Sequence, residues 1–296
     1  MTSNLEGVFA ASVTPFDDDG IPALHLLSTH LRYLETNGCD GALVLGTTGE
    51  GPSLGLDERL SILEATAAER GDLLLMAGTG AASLADAITL TRKAFDLGYD
   101  GVLVVPPFYF KSASLEGLYL FYAELINQAV PEDGNLFVYH IPQVSGVPVE
   151  GELIRRLRDT YPNQMAGIKD SSGSVENMQM LCSDEFEGFR VFTGNDTLLA
   201  DTLAEGGVGA ITAMANVFPR RLREVFDAHR DDLPTDQAQA RLTGLREKAT
   251  SIGPSLASVI KALLYLKGLL PNDYVRPPLR RLDEAEEAEL RKQFDL

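Results

Sequence analysis

One phrase recurs along this chain and restricts its fold more than any other feature. Asn37-Gly38-Cys39-Asp40-Gly41-Ala42-Leu43-Val44-Leu45 passes from a helix-stopping glycine, through an aspartate and a second glycine, into a continuous apolar run. Leu97-Gly98-Tyr99-Asp100-Gly101-Val102-Leu103-Val104-Val105 repeats it, and Glu205-Gly206-Gly207-Val208-Gly209-Ala210-Ile211 is a looser third copy. Glycine just past the last turn supplies the left-handed stop that helices favour. Unbroken apolar runs of this length read as strands buried on both faces. A repeated helix-to-strand joint implies repeated βα units.

The intervening sequence completes the set. After an unstructured start, strands are expected at Gly7–Val13, Asp40–Gly46, Leu73–Ala77, Asn135–Tyr139, Met165–Lys169 and Phe189–Thr193, beside the apolar runs of the second and third repeats. Leu24, Leu27, His30, Leu31 and Leu34 recur at helical spacing. Further helices are expected near 56–70, 82–96, 115–129, 150–160, 174–182, 195–204 and 217–229. Eight strands, each followed by a helix, fit a closed (β/α)8 TIM barrel, and the length of 296 residues suits one. No glycine fingerprint with a ribose-binding acid marks an open dinucleotide-binding sheet. From Pro234 onward the alternation stops. Helices near 235–250, 255–268 and 283–293, separated by Gly253-Pro254 and Leu270-Pro271-Asn272-Asp273, predict a C-terminal helical appendage. The expected division is a barrel over 1–232 and a helical region over 233–296.

Composition narrows the functional classes. A net charge of -18 with no basic stripe argues against nucleic-acid binding, which needs clustered Lys and Arg. The acidic excess reads as a solvated surface or as adaptation to high salt. No apolar run approaches a membrane span, and Met1-Thr2-Ser3-Asn4-Leu5-Glu6 lacks the basic and apolar regions of a signal peptide, so a cytoplasmic protein is expected. Cys39 and Cys182 match no metal-ligand spacing and read as reduced thiols.

In such a barrel the active site lies at the carboxyl ends of the strands. Here those ends are polar. Gly167-Ile168-Lys169-Asp170-Ser171-Ser172-Gly173 closes a short apolar run with a lysine and then enters a loop. An amine sequestered there sheds hydration, and its neutral form can attack a carbonyl carbon to give an imine. An arbitrary lysine at a strand end is a surface residue, so the other strand ends must decide. Gly46-Thr47-Thr48-Gly49-Glu50 can turn backbone N–H groups and two hydroxyls toward a carboxylate, or can be an ordinary glycine-rich turn. Tyr139, in Tyr139-His140-Ile141-Pro142, can pass protons through its phenol or simply pack. Pro106-Pro107-Phe108-Tyr109-Phe110 is an aromatic cluster open to a core, interface or catalytic reading. Strand alternation turns His140 away from Tyr139, toward a supporting role, while His25, His30 and His229 read as surface or packing residues.

Together with Gly78-Thr79-Gly80 and Gly194-Asn195-Asp196, these motifs resemble the dihydrodipicolinate synthase and N-acetylneuraminate lyase superfamily of class I aldolases, from Gly7 to about Leu282. The resemblance implies a Schiff-base enzyme needing no metal or cofactor, with pyruvate or another 2-keto acid and an aldehyde as its partners. It implies that Lys169 forms the imine, that Tyr139 is the general acid and base, and that Thr47 and Thr48, with Gly49, hold the keto-acid carboxylate. Thr47 also relays protons, and Ile211 lines the pyruvate pocket. Tyr109 matches a relay tyrosine that reaches the neighbouring subunit's site. A homo-oligomer is therefore expected, a dimer at least and a tetramer by the family's habit.

Departures from the family pattern bear on the second substrate. Val144 stands where the dihydrodipicolinate synthases carry an arginine for the aspartate-semialdehyde carboxylate, and Gly51 stands where they carry a serine. A neutral side chain cannot pair with a carboxylate. Gly46 to Leu54 instead resembles aldolases of 2-keto-3-deoxy sugar acids, which makes a hydroxylated 2-keto acid the expected substrate. Lysine-precursor synthesis is the second reading, and a barrel that binds a keto acid without turnover is the rival from another class.

Overall fold

The computed structural model describes residues 5–253 and 255–296. Met1 to Asn4, with the expected unstructured start, and the Pro254 break lie outside the described residues. Eight strands form in chain order: β1 (Gly7–Ala11), β2 (Gly41–Val44), β3 (Leu74–Gly78), β4 (Gly101–Val104), β5 (Leu136–His140), β6 (Met165–Asp170), β7 (Arg190–Thr193) and β8 (Gly209–Thr212). Each runs parallel to the next, and β8 returns to β1 through pairs from Gly7 and Gly209 to Ala10 and Thr212, closing the barrel. This is the (β/α)8 fold that the repeats imply.

Helices α1 (Leu24–Thr36), α2 (Leu56–Ala68), α3 (Leu84–Asp96) and α4 (Leu115–Ala129) follow the first four strands. A short α5 (Pro142–Ser145) and then α6 (Gly151–Thr160) follow β5, and α7 (Val175–Leu181), α8 (Leu199–Ala204) and α9 (Pro219–Arg230) follow the last three. The C-terminal part adds α10 (Asp236–Thr250), α11 (Leu256–Leu266) and α12 (Glu284–Phe294). Among the described residues no helix is long and apolar enough to cross a membrane.

Strands β1 and β2 stop two residues short of their expected ends. β1 stops at Ala11 because the Val13 N–H turns to the Asn216 side chain at 3.1 Å. β2 stops at Val44 because Leu45 adopts a left-handed φ of 60° and ends the ladder. Helix α5 was not expected from the sequence: Pro142 at its first position fixes φ, and Gly146 at φ 67° terminates it after one turn.

The core has two layers. Outward-facing strand residues pack against the helices, while Phe9, Phe137, Phe192, Met76 and Leu103 fill the barrel interior. Phe9 and Phe137 meet Phe192 at centroid distances of 5.4 and 5.7 Å. Glycine makes room for them, since a Cβ on Gly41 would lie 2.2 Å from the Phe9 ring and one on Gly167 would lie 2.5 Å from Phe137. With the interior plugged, the space left to the barrel is at its carboxyl-end mouth.

Candidate active site

Register decides which side chains meet. Tyr139 on β5 pairs with Lys169 on β6, which pairs with Phe192 on β7, so the three point together into the barrel. Lys169 and Tyr139 are both buried, and the Lys169 Nζ lies 4.4 Å from the centroid of the Tyr139 ring. Gly194, just past β7, leaves space for the amine: a Cβ there would sit 3.0 Å from Lys169 Cε and 1.8 Å from Ser171 Oγ. His140 faces the other way, and its Nδ1 accepts the Val149 N–H at 3.0 Å, which is the supporting role expected of it. His30 packs in the core against Asn216, and His25 and His229 are exposed.

Burial alone would push the Tyr139 phenol up. The Lys169 ammonium and the hydroxyls of Thr47 and Ser171 outweigh it, so the net position is below that of an ordinary phenol. Such a group gives up its proton more readily than free tyrosine.

The loop after β2 carries the two threonines. Thr47 is exposed at its tip and Thr48 is buried. The Glu50 N–H donates to the Thr47 carbonyl at 3.1 Å, and the Thr14 hydroxyl donates to the Gly49 carbonyl at 2.7 Å, which fixes the turn. Gly49 is required by close approach, because a Cβ there would meet the Ser12 carbonyl oxygen at 2.8 Å. Ile211 is fully buried in the barrel interior, in the apolar cluster that includes Tyr139.

A cavity of about 510 Å³ opens at this mouth. Thr47, Tyr139, Phe108 and Val144 line one side, and Arg59 and Asp86 line the other. Lys169, Thr48, Gly49 and Ile211 are not part of the lining, but Tyr139, which lines it, is in contact with the Lys169 amine. Tyr109 is not brought to the site within one chain: it is 75% exposed and its ring meets that of Phe110 edge-on, at 5.2 Å.

Arg59 was not singled out from the sequence. Its Nη2 donates to the carbonyls of Gly78 and Gly80 at 3.0 and 3.1 Å, and burial lowers its pKa to about 10 against the upward pull of Asp86. The available signal was its position on the buried face of α2, one turn before Ile62 and Leu63.

The dihydrodipicolinate synthetase family model matches residues 4–295. The chain belongs to this family. A relative from Chloroflexus aurantiacus, named an uncharacterized DapA-like lyase, is 42% identical over 98% of this chain and 96% of its own. A 4-hydroxy-tetrahydrodipicolinate synthase from Thermosynechococcus vestitus is 36% identical over 89% of this chain and 84% of its own. Among solved structures, the prophage protein YagE of E. coli K12, in complex with pyruvate, superposes with a TM-score of 0.92 at 26% identity, covering 99% of this chain and 98% of its own. The superfamily and the lyase class inferred from the motifs therefore stand.

Proposed function

We propose that the chain is a pyruvate-dependent class I aldolase that cleaves or forms a hydroxylated 2-keto acid of the 2-keto-3-deoxy sugar acid kind. The observation that carries this reading is the buried Lys169 amine packed on Tyr139 at the mouth of the barrel. In the proposed reaction the Lys169 nitrogen bonds to the keto carbon, and the keto oxygen takes up protons, one of them from the Tyr139 phenol, and leaves as water. The resulting iminium draws electrons from the neighbouring bond. When the C4 hydroxyl gives its proton to the Tyr139 oxygen, the C3–C4 bond breaks to an aldehyde and an enamine. Protonation at C3 and hydrolysis return pyruvate and free Lys169. Thr47, Thr48 and Gly49 hold the carboxylate, which orients the keto group toward the amine, and Ile211 packs against the methyl end.

Substrate class is argued from Val144, which lines the cavity, is 63% exposed and offers no charge. Arg59 is the one cation among the lining residues; its Nη2 is engaged by two carbonyls, while its buried Nε has no partner among the described residues. The Val144 side chain does not suit the carboxylate of aspartate semialdehyde as a bidentate arginine would. The names of several relatives favour a second reading, 4-hydroxy-tetrahydrodipicolinate synthase. The two separate in one assay. Pyruvate release from a panel of 2-keto-3-deoxy sugar acids should exceed condensation of pyruvate with aspartate semialdehyde, and Val144→Arg should raise the condensation. Efficient condensation by the wild type would favour the second reading.

We further propose that the enzyme works in the cytoplasm as a homo-oligomer, a dimer at least and a tetramer by family habit. Tyr109 would then complete the proton relay of a neighbouring copy. Its exposure beside Phe110, which is 69% exposed, supports this, because adjacent exposed rings are costly to leave in water.

A further inference from the structure

The loop that carries Thr47 and Thr48 has an unusual backbone. Leu45 at φ 60° and Glu50 at φ 56° bracket the two threonines, and both are left-handed without being glycine. Side chains adopt that region at a cost, and they keep it only where surrounding contacts over-determine it. At the first pivot the determinant is steric. The Leu45 carbonyl oxygen would lie 2.2 Å from a Cβ on Gly51 and 2.6 Å from one on Gly78, so the backbones there are in contact.

At the second pivot the determinant is electrostatic. The Glu50 side chain is fully buried, with Oε1 accepting from the Lys261 Nζ and Oε2 accepting the Arg276 N–H at 2.8 Å. Lys261, on α11, is as deeply buried. It also donates to the Tyr274 carbonyl at 2.9 Å and lies 4.1 Å from the centroid of the Phe16 ring. The residues on either side, Val259, Ile260, Leu263 and Leu264, are core residues, so the amine cannot swing away to water. A buried ion pair adds little net stability over an apolar pair of the same volume. Its consequence here is directional: the carboxylate can satisfy both oxygens only while Glu50 keeps its left-handed turn, and that turn closes on Thr47 through the Glu50 N–H.

We propose that Glu50 and Lys261 are positioning residues that hold the Thr47–Thr48 loop in its carboxylate-gripping shape, making α11 part of the substrate-binding machinery. This rests on the reading that the loop binds the keto-acid carboxylate. The geometry has a pH signature of its own. Lys261 is faced by Glu50, Asp273 and Arg276; burial is the largest influence and lowers its pKa to about 8 despite the upward pull of Glu50. Above that pH the amine is neutral and the pair loses its charge attraction.

The test compares wild type, Lys261→Arg and the double variant Glu50→Gln/Lys261→Met, each checked for folding by its melting transition. Pyruvate affinity is titrated calorimetrically, and borohydride trapping on Lys169 is recorded separately. The double variant should bind pyruvate roughly tenfold more weakly or worse, as expected when a binding group is misplaced, with turnover at saturation far less affected. Lys261→Arg should bind as the wild type does at pH 7. Wild-type affinity should weaken as pH rises through 8, and that weakening should be missing in Lys261→Arg, whose charge persists. Unchanged affinity in the double variant overturns the proposal, and so does an alkaline weakening that persists in Lys261→Arg. If the double variant does not fold, the comparison of pH profiles decides. Absence of the borohydride adduct in the wild type would instead remove the imine reading, while the affinity measurements still judge the loop.

Discussion

The Lys169 amine and the Tyr139 ring are in contact, with Nζ 4.4 Å from the ring centroid, because β5 and β6 pair these two residues side by side. The phenol therefore sits within the field of the amine. Tyr139→Phe removes the proton donor and keeps the packing, so turnover should fall by about 10²–10⁴-fold while the fold persists. Burial is the largest single influence on the wild-type phenol and pushes it up, but the Lys169 charge together with the hydrogen bonds from Thr47, Ser171 and Lys169 outweighs burial and leaves it below an ordinary tyrosine. Where the phenol acts as an acid, rate falls as pH rises through its pKa. The alkaline limb of the turnover profile should accordingly lie at lower pH than a free phenol's and vanish in Tyr139→Phe. A limb that survives in the variant belongs to another group.

Gly194 sits where any side chain would strike the site. Its Cβ would approach Ser171 Oγ to 1.8 Å and Lys169 Cε to 3.0 Å. Gly194→Ala should leave the melting temperature within a few degrees of wild type, yet sharply reduce the rate of adduct formation at Lys169. An unaltered trapping rate would show that the amine tolerates displacement.

The exposed Tyr109 gives a mixing test. Tyr109→Phe and Lys169→Ala, each expected to be inactive alone if Tyr109 serves a neighbouring copy, are combined under conditions that exchange subunits. One site of each mixed dimer then carries both lesions and the other carries neither, so activity should return. No recovery despite demonstrated exchange would place Tyr109 in its own subunit's relay.

Acid stability should depend on His30. Burial lowers its pKa from 6.5 to about 4, and its hydrogen bond to Asn216 only partly opposes this. Between those values the unfolded chain holds the proton and the folded chain does not. Stability is therefore fully present above about pH 6.5, is lost as pH falls toward 4, and levels off below. The gap corresponds to about 3 kcal/mol. His30→Gln should lose less stability than wild type between pH 7 and pH 4.5 in denaturant titrations, and an identical loss would contradict this assignment.

The barrel was legible because burial on both faces writes the strands as apolar runs, and because left-handed glycines such as Gly38, Gly98 and Gly206 stop helices just before strands. Strand-end chemistry was legible for the same reason, since Lys169 and Tyr139 terminate such runs. Other features were not. The end of β2 depends on the left-handed turn at Leu45, which no side-chain pattern announces. Glu50 and Lys261 meet across 211 positions of sequence, and only the closed fold brings them together. Arg59 looks like one more charge on an amphipathic helix until Gly78 and Gly80 present their carbonyls to it. For Tyr109 the limit lies in the single chain, where its ring faces outward.

The central claim is that Lys169 carries an imine with a 2-keto acid, and borohydride reduction in the presence of pyruvate tests it most directly. The account predicts one reduced pyruvate per chain, located by peptide mass spectrometry on Lys169, and none in Lys169→Ala, which should fold and bind pyruvate without turnover. No adduct on the wild type, or an adduct on a different lysine, would contradict it.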